Sequence, residues 1–441
     1  MTTIFALATA PGRAGIAVLR LSGPEARAAL EAVASTVPPP RRAALARFCD
    51  PASGEAIDDG LALFFPGPRS VTGEDVAEFH IHGSRAVAAA LLEALGRLPG
   101  LRLAAPGEFT RRAFEHGKLD LTAAEGLADL VAADTAAQRR QALRQLAGEL
   151  GRLYEGWRER LMRALAHLEA EIDFPEEGLP EDLRQGVRAA AAALRAEIAS
   201  HLADGHRGER LRDGVAVAIL GPPNAGKSSL MNALARREVA ITAASAGTTR
   251  DVIEVALDLG GYPVLLADTA GLRASGDAVE AEGVRRARAR AAAADLRLIV
   301  LDAARPEEAA AVAGLMDETA LVVANKIDLA PAAGWADALG AGPALRLSVR
   351  TGEGMAALLA RLQAEVARRF EPTGAPLITR ARHRQALEDV VGSLDRFAAA
   401  ELPELAAEDL RSAAQALGRI TGRVDVEALL DIIFGEFCLG K

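Results

Sequence analysis

The 441 residues amount to about three domains' worth of chain, and with half of them hydrophobic and a quarter charged they can bury several cores, which excludes a disordered chain. Aromatic residues make up 4%, too few for a protein built on base-stacking platforms, and 51 basic against 60 acidic residues leave a net charge of -9, which excludes phosphate binding by bulk charge. Two cysteines, Cys49 and Cys438, support neither a disulfide framework nor a four-cysteine metal cluster.

Along the chain, the opening MTTIFALATAPG has no basic start and reads as a strand rather than a secretion signal. Residues 1–118 mix short apolar runs with turn signals such as PGRAG, the prolines at 38–40, FPGPRS and PGEF. Strands over 16–21 and 61–65 alternate with a helix over 84–96, giving an α+β domain. Residues 119–213 turn to long helices, interrupted at DFPEEGLPED (173–182), with Leu161, Leu165, Leu168 and Ile172 at helical spacing. Residues 214–371 alternate strand and helix (VAVAIL, KSSLMNALARRE, LRLIVLD, ALVVANKID), the pattern of a parallel sheet with crossover helices. Residues 372–441 return to helix and end in a CLGK tail. The economical reading is an α/β multidomain chain in which an inserted α/β domain splits one helical domain. No apolar run approaches the roughly 20 residues of a membrane helix, because Arg, Glu or Asp keep interrupting the alanine-rich tracts. A cytoplasmic protein with no membrane partner is expected.

The sharpest chemical signal is 221–228, GPPNAGKS, which fits G-x-x-x-x-G-K-[ST] between an apolar strand (215–220) and a helix. Its glycines let backbone amides curl around phosphates, Lys227 supplies charge to the β and γ phosphates, and the Ser228 hydroxyl can ligate magnesium. Asp268, Thr269, Ala270 and Gly271 form D-x-x-G at a strand end, with Asp268 near the magnesium shell and the Gly271 amide sensing the γ phosphate. Asn325, Lys326, Ile327 and Asp328 end another strand. The Asp328 carboxylate can accept hydrogen bonds from guanine N1 and its exocyclic amine, which adenine does not offer, while Asn325 and Lys326 brace the loop. Ser348, Val349 and Arg350 fit a further guanine-contacting loop loosely. Between these motifs, GTTRD (247–251) reads as a switch whose threonine completes the magnesium shell. VIEVALDL, Gly260-Gly261 and YPVLLADT read as a hairpin at the sheet edge. Leu272 follows Gly271 where Ras-like enzymes carry a water-orienting glutamine, so hydrolysis needs another group. His80 and His82 share one face of a strand without an evident third metal ligand, and Arg139-Arg140 and RRARAR (285–290) are candidates for a local basic patch on phosphate, with solvated helix surface as the commoner fate of such runs.

Over its whole length the chain resembles the MnmE (TrmE) family of tRNA-modification GTPases. The resemblance is carried by ATAPGRAGIAVLRLSGP (8–24), TGEDVAEF (72–79), PGEFTRRAFEHGKLDLTAAEGLADL (106–130), DFPEE (173–177), the nucleotide motifs and FCLGK (437–441). It implies an N-terminal folate-binding domain that forms a homodimer, a helical domain and an inserted Ras-like P-loop GTPase domain. It implies action on tRNA in the cytoplasm with an FAD-containing MnmG-type partner, as a heterotetramer. Together they would add an aminomethyl or carboxymethylaminomethyl group at C5 of the wobble uridine.

By the same resemblance, GTP contacts fall on Asn224, Ala225, Gly226, Lys227, Ser228 and Ser229, and on Ala243, Ala244, Ser245, Ala246, Gly247, Thr248 and Thr249. They continue through Asp268, Thr269, Ala270, Gly271, Asn325, Lys326, Asp328, Ser348, Val349 and Arg350. Magnesium falls to Ser228 and Thr249, and potassium to Asn224, Ala243, Ser245 and Thr248. The catalytic glutamate matches Glu280. Contacts to 5-formyl-tetrahydrofolate or a related folate match Arg20, Glu78, Lys118 and Lys441, and Cys438 is either a reactive thiol or a small core residue. The alternative from another class is a ribosome-assembly or signalling GTPase without RNA chemistry, for which residues 1–118 and FCLGK would have no use.

Overall fold

The computed structural model describes residues 2–173, 181–237, 239–241, 254–268, 294–330, 344–370, 374–424, 427–435, 437 and 440. Its elements run β1 (Thr3–Leu7), β2 (Ala14–Ser22), α1 (Ala26–Ala34), β3 (Ala44–Cys49), β4 (Ala56–Phe65), β5 (Val76–Gly83), α2 (Arg85–Gly96), β6 (Leu101–Leu103), α3 (Glu108–Glu115), α4 (Leu121–Ala132), α5 (Ala136–Leu146) and α6 (Glu149–Asp173). They continue α7 (Glu181–Leu202), α8 (Arg207–Asp213), β7 (Val215–Leu220), α9 (Lys227–Ala235), β8 (Glu254–Leu259), β9 (Tyr262–Asp268) and β10 (Leu296–Asp302). The last are β11 (Ala320–Asn325), β12 (Leu345–Arg346), α10 (Met355–Phe370), α11 (Ala381–Ala399), α12 (Pro403–Thr421) and α13 (Glu427–Gly435). Contacts divide the chain into two units, Met1–Ala128 with Gln145–Pro175 and Pro403–Lys441, and Asp129–Arg144 with Glu176–Leu402. Helical residues are shared between both.

In the first unit a six-stranded sheet runs β3-β4-β5-β2-β1-β6, with only β1 and β6 parallel. Along β2, Ala17, Leu19 and Leu21 are buried while Val18 and Arg20 point to the other face, the period-two pattern of a half-covered strand. α1 buries Leu30 and Val33 and α2 buries Leu91 and Leu95 against Phe5, Leu19, Phe48, Phe64 and Phe79. Each such side chain contributes roughly 1.5–3 kcal/mol. Phe48 meets Phe79 edge to face, with centroids 5.2 Å apart. In the helical part, α6 packs along α12, burying Leu150, Tyr154, Trp157, Leu161 and Leu165 at helical spacing. α13 closes on α4 through Leu121, Ala124, Leu430, Ile433, Phe434 and Phe437.

The second unit holds the sheet β12-β11-β10-β7-β9-β8, parallel except for β8. β7, β10 and β11 are nearly continuous apolar runs because both faces are covered. α9 and α10 bring Leu230, Leu234, Leu358, Leu362 and Val366 to one face, while Ala218, Leu220, Ile299, Leu301 and Val322 line the other. Val312 packs against that second face from a segment, Pro306–Leu315, that is a 3₁₀ helix rather than the α-helix usual in a crossover. The hairpin at the sheet edge is present: β8 and β9 join through Gly260-Gly261, and the Gly261 amide donates to Asp258 Oδ1 (2.6 Å). α7 and α11 pack together, tied by the Arg195–Asp395 ion pair (2.9 Å). No helix among the described residues is long and apolar enough to cross a membrane.

Candidate functional site

Between β7 and α9 the chain makes a tight loop in which Asn224 (φ 63°) and Gly226 (φ 100°) take left-handed conformations. Successive residues of alternating hand point their amides into one concavity, an arrangement suited to phosphate oxygens. A β-carbon on Gly226 would lie 2.2 Å from Asn325 Nδ2, so only glycine fits. Lys227 is buried and spans the loop, donating from Nζ to the carbonyls of Gly221 (2.8 Å) and Pro222 (2.7 Å). Asn224, Ser228 and Ser229 are exposed, the two serines in the first turn of α9, at the positive end of the helix dipole.

The end of β11 is wired to this loop. Asn325 is 2% exposed; its Nδ2 donates to the Ala225 carbonyl (2.9 Å) and its Oδ1 accepts from the Val349 amide (3.2 Å). One side chain thereby fixes the 221–228 loop against the 348–350 loop. Lys326 (φ 64°) sends its ammonium to Asp302 Oδ2 (2.7 Å). Burial opposes ionisation of Asp302, but the hydrogen bonds from Lys326 and the Ala304 amide outweigh it and hold the carboxyl below its usual range. The sequence marks Asp302 only as an aspartate ending the strand LRLIVLD; its register with Asn325 comes from the sheet. Asp328 accepts from the Ser348 hydroxyl on Oδ1 (2.6 Å) and faces Arg350 Nη2 across 2.7 Å on Oδ2. The Ser348 hydrogen bond, against the pull of burial and aided by Arg350, lowers the Asp328 pKa.

Asn224, Ala225, Gly226, Lys227, Ser228, Ser229, Asn325, Lys326, Asp328, Ser348, Val349 and Arg350 are thus gathered at the carboxyl ends of parallel strands, where α/β sheets place ligands. Asp268 ends β9 in register with Ile219, at the same sheet edge. Ala243, Ala244, Ser245, Ala246, Gly247, Thr248, Thr249, Thr269, Ala270, Gly271, Leu272, Glu280 and the run 285–290 lie outside the described residues.

On the sheet face of the first unit opposite α1 and α2, Arg20 and Glu78 are cross-strand partners. Arg20 Nε donates to Glu78 Oε1 (2.9 Å), and His80 Nε2 lies 3.1 Å from Glu78 Oε2. His82 pairs separately with Asp58 (2.8 Å), and among the described residues no three His, Cys, Asp or Glu side chains form a metal-binding group. Lys118 joins neither Arg20 nor Glu78; its Nζ donates to the Pro68 carbonyl (2.9 Å). Cys438 and Lys441 lie outside the described residues, but Gly440 between them sits against the end of β1. A β-carbon there would come within 2.3 Å of the Leu7 carbonyl oxygen.

The same unit contains a buried network the sequence did not reveal. Arg112 Nη1 reaches Glu74 (2.9 Å) and the Ser22 carbonyl (3.3 Å), and Nη2 reaches Glu108 (3.0 Å) and the Thr2 carbonyl (2.9 Å). Ser22 Oγ bonds both Glu74 (2.7 Å) and Thr72 (2.6 Å). Glu74 of TGED and Glu108 of PGEF are therefore held by one guanidinium.

Residues 121–438 match the MnmE helical domain, and residues 3–118 match the N-terminus of the GTP-binding protein TrmE. The tRNA modification GTPase MnmE of Parvibaculum lavamentivorans is 60% identical, with 100% of each chain covered. The protein of the same name from Rhodospirillum rubrum is 57% identical, covering 100% of this chain and 99% of its own. A solved structure of the G domain of the T. maritima FeoB iron transporter is 28% identical over 35% of this chain and 98% of that chain, with a TM-score of 0.28.

Proposed function

The chain belongs to the MnmE family of tRNA modification GTPases, and from that premise we propose that it is a potassium-stimulated GTPase modifying wobble uridine at C5. In this reading it acts on tRNA in the cytoplasm, as a homodimer joined by an FAD-dependent MnmG-type subunit in a heterotetramer. The product carries an aminomethyl or carboxymethylaminomethyl group. GTP hydrolysis itself follows from the family, which also decides against an assembly or signalling GTPase.

The observation that carries the reading is Asn325, whose two hydrogen bonds make a phosphate loop and a base-reading loop one site. Asp328 accepts the guanine edge, the Val349 loop closes over the base, and Lys227 and the loop amides meet the phosphates. The chain offers oxygen donors suited to hard cations: Ser228 and Thr249 for magnesium, and Asn224, Ala243, Ser245 and Thr248 for potassium. Exposure of Asn224 at a left-handed corner leaves its carboxamide accessible for that role. Bound cations supply positive charge where it develops on the phosphates, work for which an arginine finger is worth ~10³–10⁵ in rate. Glu280 orients the attacking water, in place of the glutamine that Leu272 replaces.

In the first unit, Arg20, Glu78, Lys118 and Lys441 take a formyl-tetrahydrofolate or related folate. Support comes from the Arg20–Glu78 pair and from Gly440, which lies against the end of β1, the strand paired to the one bearing Arg20. Cys438 follows the same tail, as a reactive thiol or a core residue.

Turnover of GTP by the full chain should be about tenfold or more faster in potassium than in sodium at equal ionic strength. Glu280→Ala should abolish that turnover and leave nucleotide binding nearly intact. Equal rates in the two salts contradict the potassium assignment, and an active Glu280→Ala protein contradicts the catalytic one.

A further inference from the structure

Asp328 has two carboxylate oxygens, and both are engaged by its own chain. Oδ1 accepts the Ser348 hydroxyl at 2.6 Å, and Oδ2 faces Arg350 Nη2 at 2.7 Å. A guanine edge offers a fork of two N–H donors, N1 and the exocyclic amine, to the two carboxylate oxygens, and Arg350 sets its own Nη2 against one of the same oxygens. The Asp328 side chain is 12% exposed, leaving little room for the guanine edge and the Arg350 guanidinium at once, whereas Arg350 is 76% exposed. The loop beneath is held independently, by the Val349 amide on Asn325 and the Thr351 amide on Ser348 Oγ. The Arg350 side chain can therefore leave Asp328 without the loop moving. The neighbouring cation, Lys326, is committed to Asp302.

We propose that Arg350 competes internally with the guanine base for the Asp328 carboxylate, so that it slows nucleotide association and tunes affinity downward. The inference rests on the reading of Asp328 as the base acceptor. An exposed ion pair is weak, so the effect is bounded: removing the guanidinium should tighten nucleotide binding by about two- to fivefold. The gain lies in association, because the competitor acts before the base is seated.

The test is stopped-flow binding of GDP labelled on its ribose with a fluorescent group, using the full chain as wild type, Arg350→Ala, Arg350→Lys and Asp328→Asn. Arg350→Ala should associate about two- to fivefold faster with unchanged dissociation. Its advantage should shrink as NaCl rises from about 0.05 to 0.5 M, because salt screens the pair in the wild type. Arg350→Lys, a point charge without the fork, should fall between the two. Faster dissociation and weaker binding in Arg350→Ala would mean that Arg350 holds the nucleotide, and would overturn the proposal, as would unchanged association. If Asp328→Asn binds GDP as tightly as the wild type, the base-acceptor reading fails and takes the proposal with it. If Asp328→Asn turns from GDP to XDP while Arg350→Ala gains nothing, the Arg350 inference alone fails.

Discussion

Gly226 and Asn325 are fitted to each other within a few ångströms. Gly226→Ala would set a methyl 2.2 Å from Asn325 Nδ2 at a φ of 100°, where side chains are disfavoured. The displaced amide would lose the Ala225 carbonyl and the Val349 amide together. GTP affinity is expected to fall by about tenfold or more, the equivalent of ~1.4 kcal/mol or above. Equilibrium binding of fluorescent nucleotide measures it, and wild-type affinity in the variant would show that the brace does not matter. The glycine, the lysine and the asparagine of this site are legible in sequence because their spacing follows the loop they make. Asp302 is not, because its pairing with Lys326 depends on β10 lying beside β11 in one register, across 24 positions of chain.

Among the elements, α3 shows what spacing conceals. Glu108 and Arg112 stand at the i,i+4 spacing of a helix pair, but TGED is a separate stretch of sequence and no periodicity says that Arg112 also holds Glu74. Removing Arg112 leaves Glu74 buried without its guanidinium, while Glu108 keeps Arg102, so Arg112→Met should lower stability by about 3 kcal/mol. Urea unfolding of the full chain checks this through the transition of the unit that holds Arg112, and an unmoved midpoint would reduce the network to decoration. Glu108 adds a pH dependence of definite sign. Burial raises its pKa, but Arg102, the Ala105 amide and Arg112 outweigh burial and leave it below the usual value. A carboxyl depressed in the folded state stabilises above its unfolded pKa of about 4.3 and loses that contribution as pH falls through the folded value. The wild-type midpoint should therefore drop more steeply below about pH 4.5 than that of Glu108→Gln. Parallel slopes would contradict the assignment. By contrast, β7, β10 and β11 were readable as buried strands directly, since only apolar runs survive between two covered faces.

For the whole molecule, the succession of an α+β region, long helices, and an alternating strand–helix region was legible from changes of period. Which helices belong to which compact unit was not. α5 groups with the second unit because the Ala137 amide donates to the Gly261 carbonyl (2.8 Å), Gln138 Nε2 to Arg212 O (2.9 Å) and Gln141 Nε2 to Gly208 O (2.9 Å). These are polar contacts between segments distant in sequence, and no periodicity announces them. The central claim is that one guanine-reading site on this chain drives the modification of tRNA, and base choice at Asp328 tests it. The decisive measurement is mass spectrometry of nucleosides from tRNA incubated with the full chain and an MnmG-type partner, supplied with GTP or XTP. The account predicts C5-modified wobble uridine from the wild type with GTP only, and from Asp328→Asn with XTP only, because an amide restores the donor–acceptor match to xanthine. Modification by Asp328→Asn with GTP at the wild-type level, or none by the wild type, would contradict it.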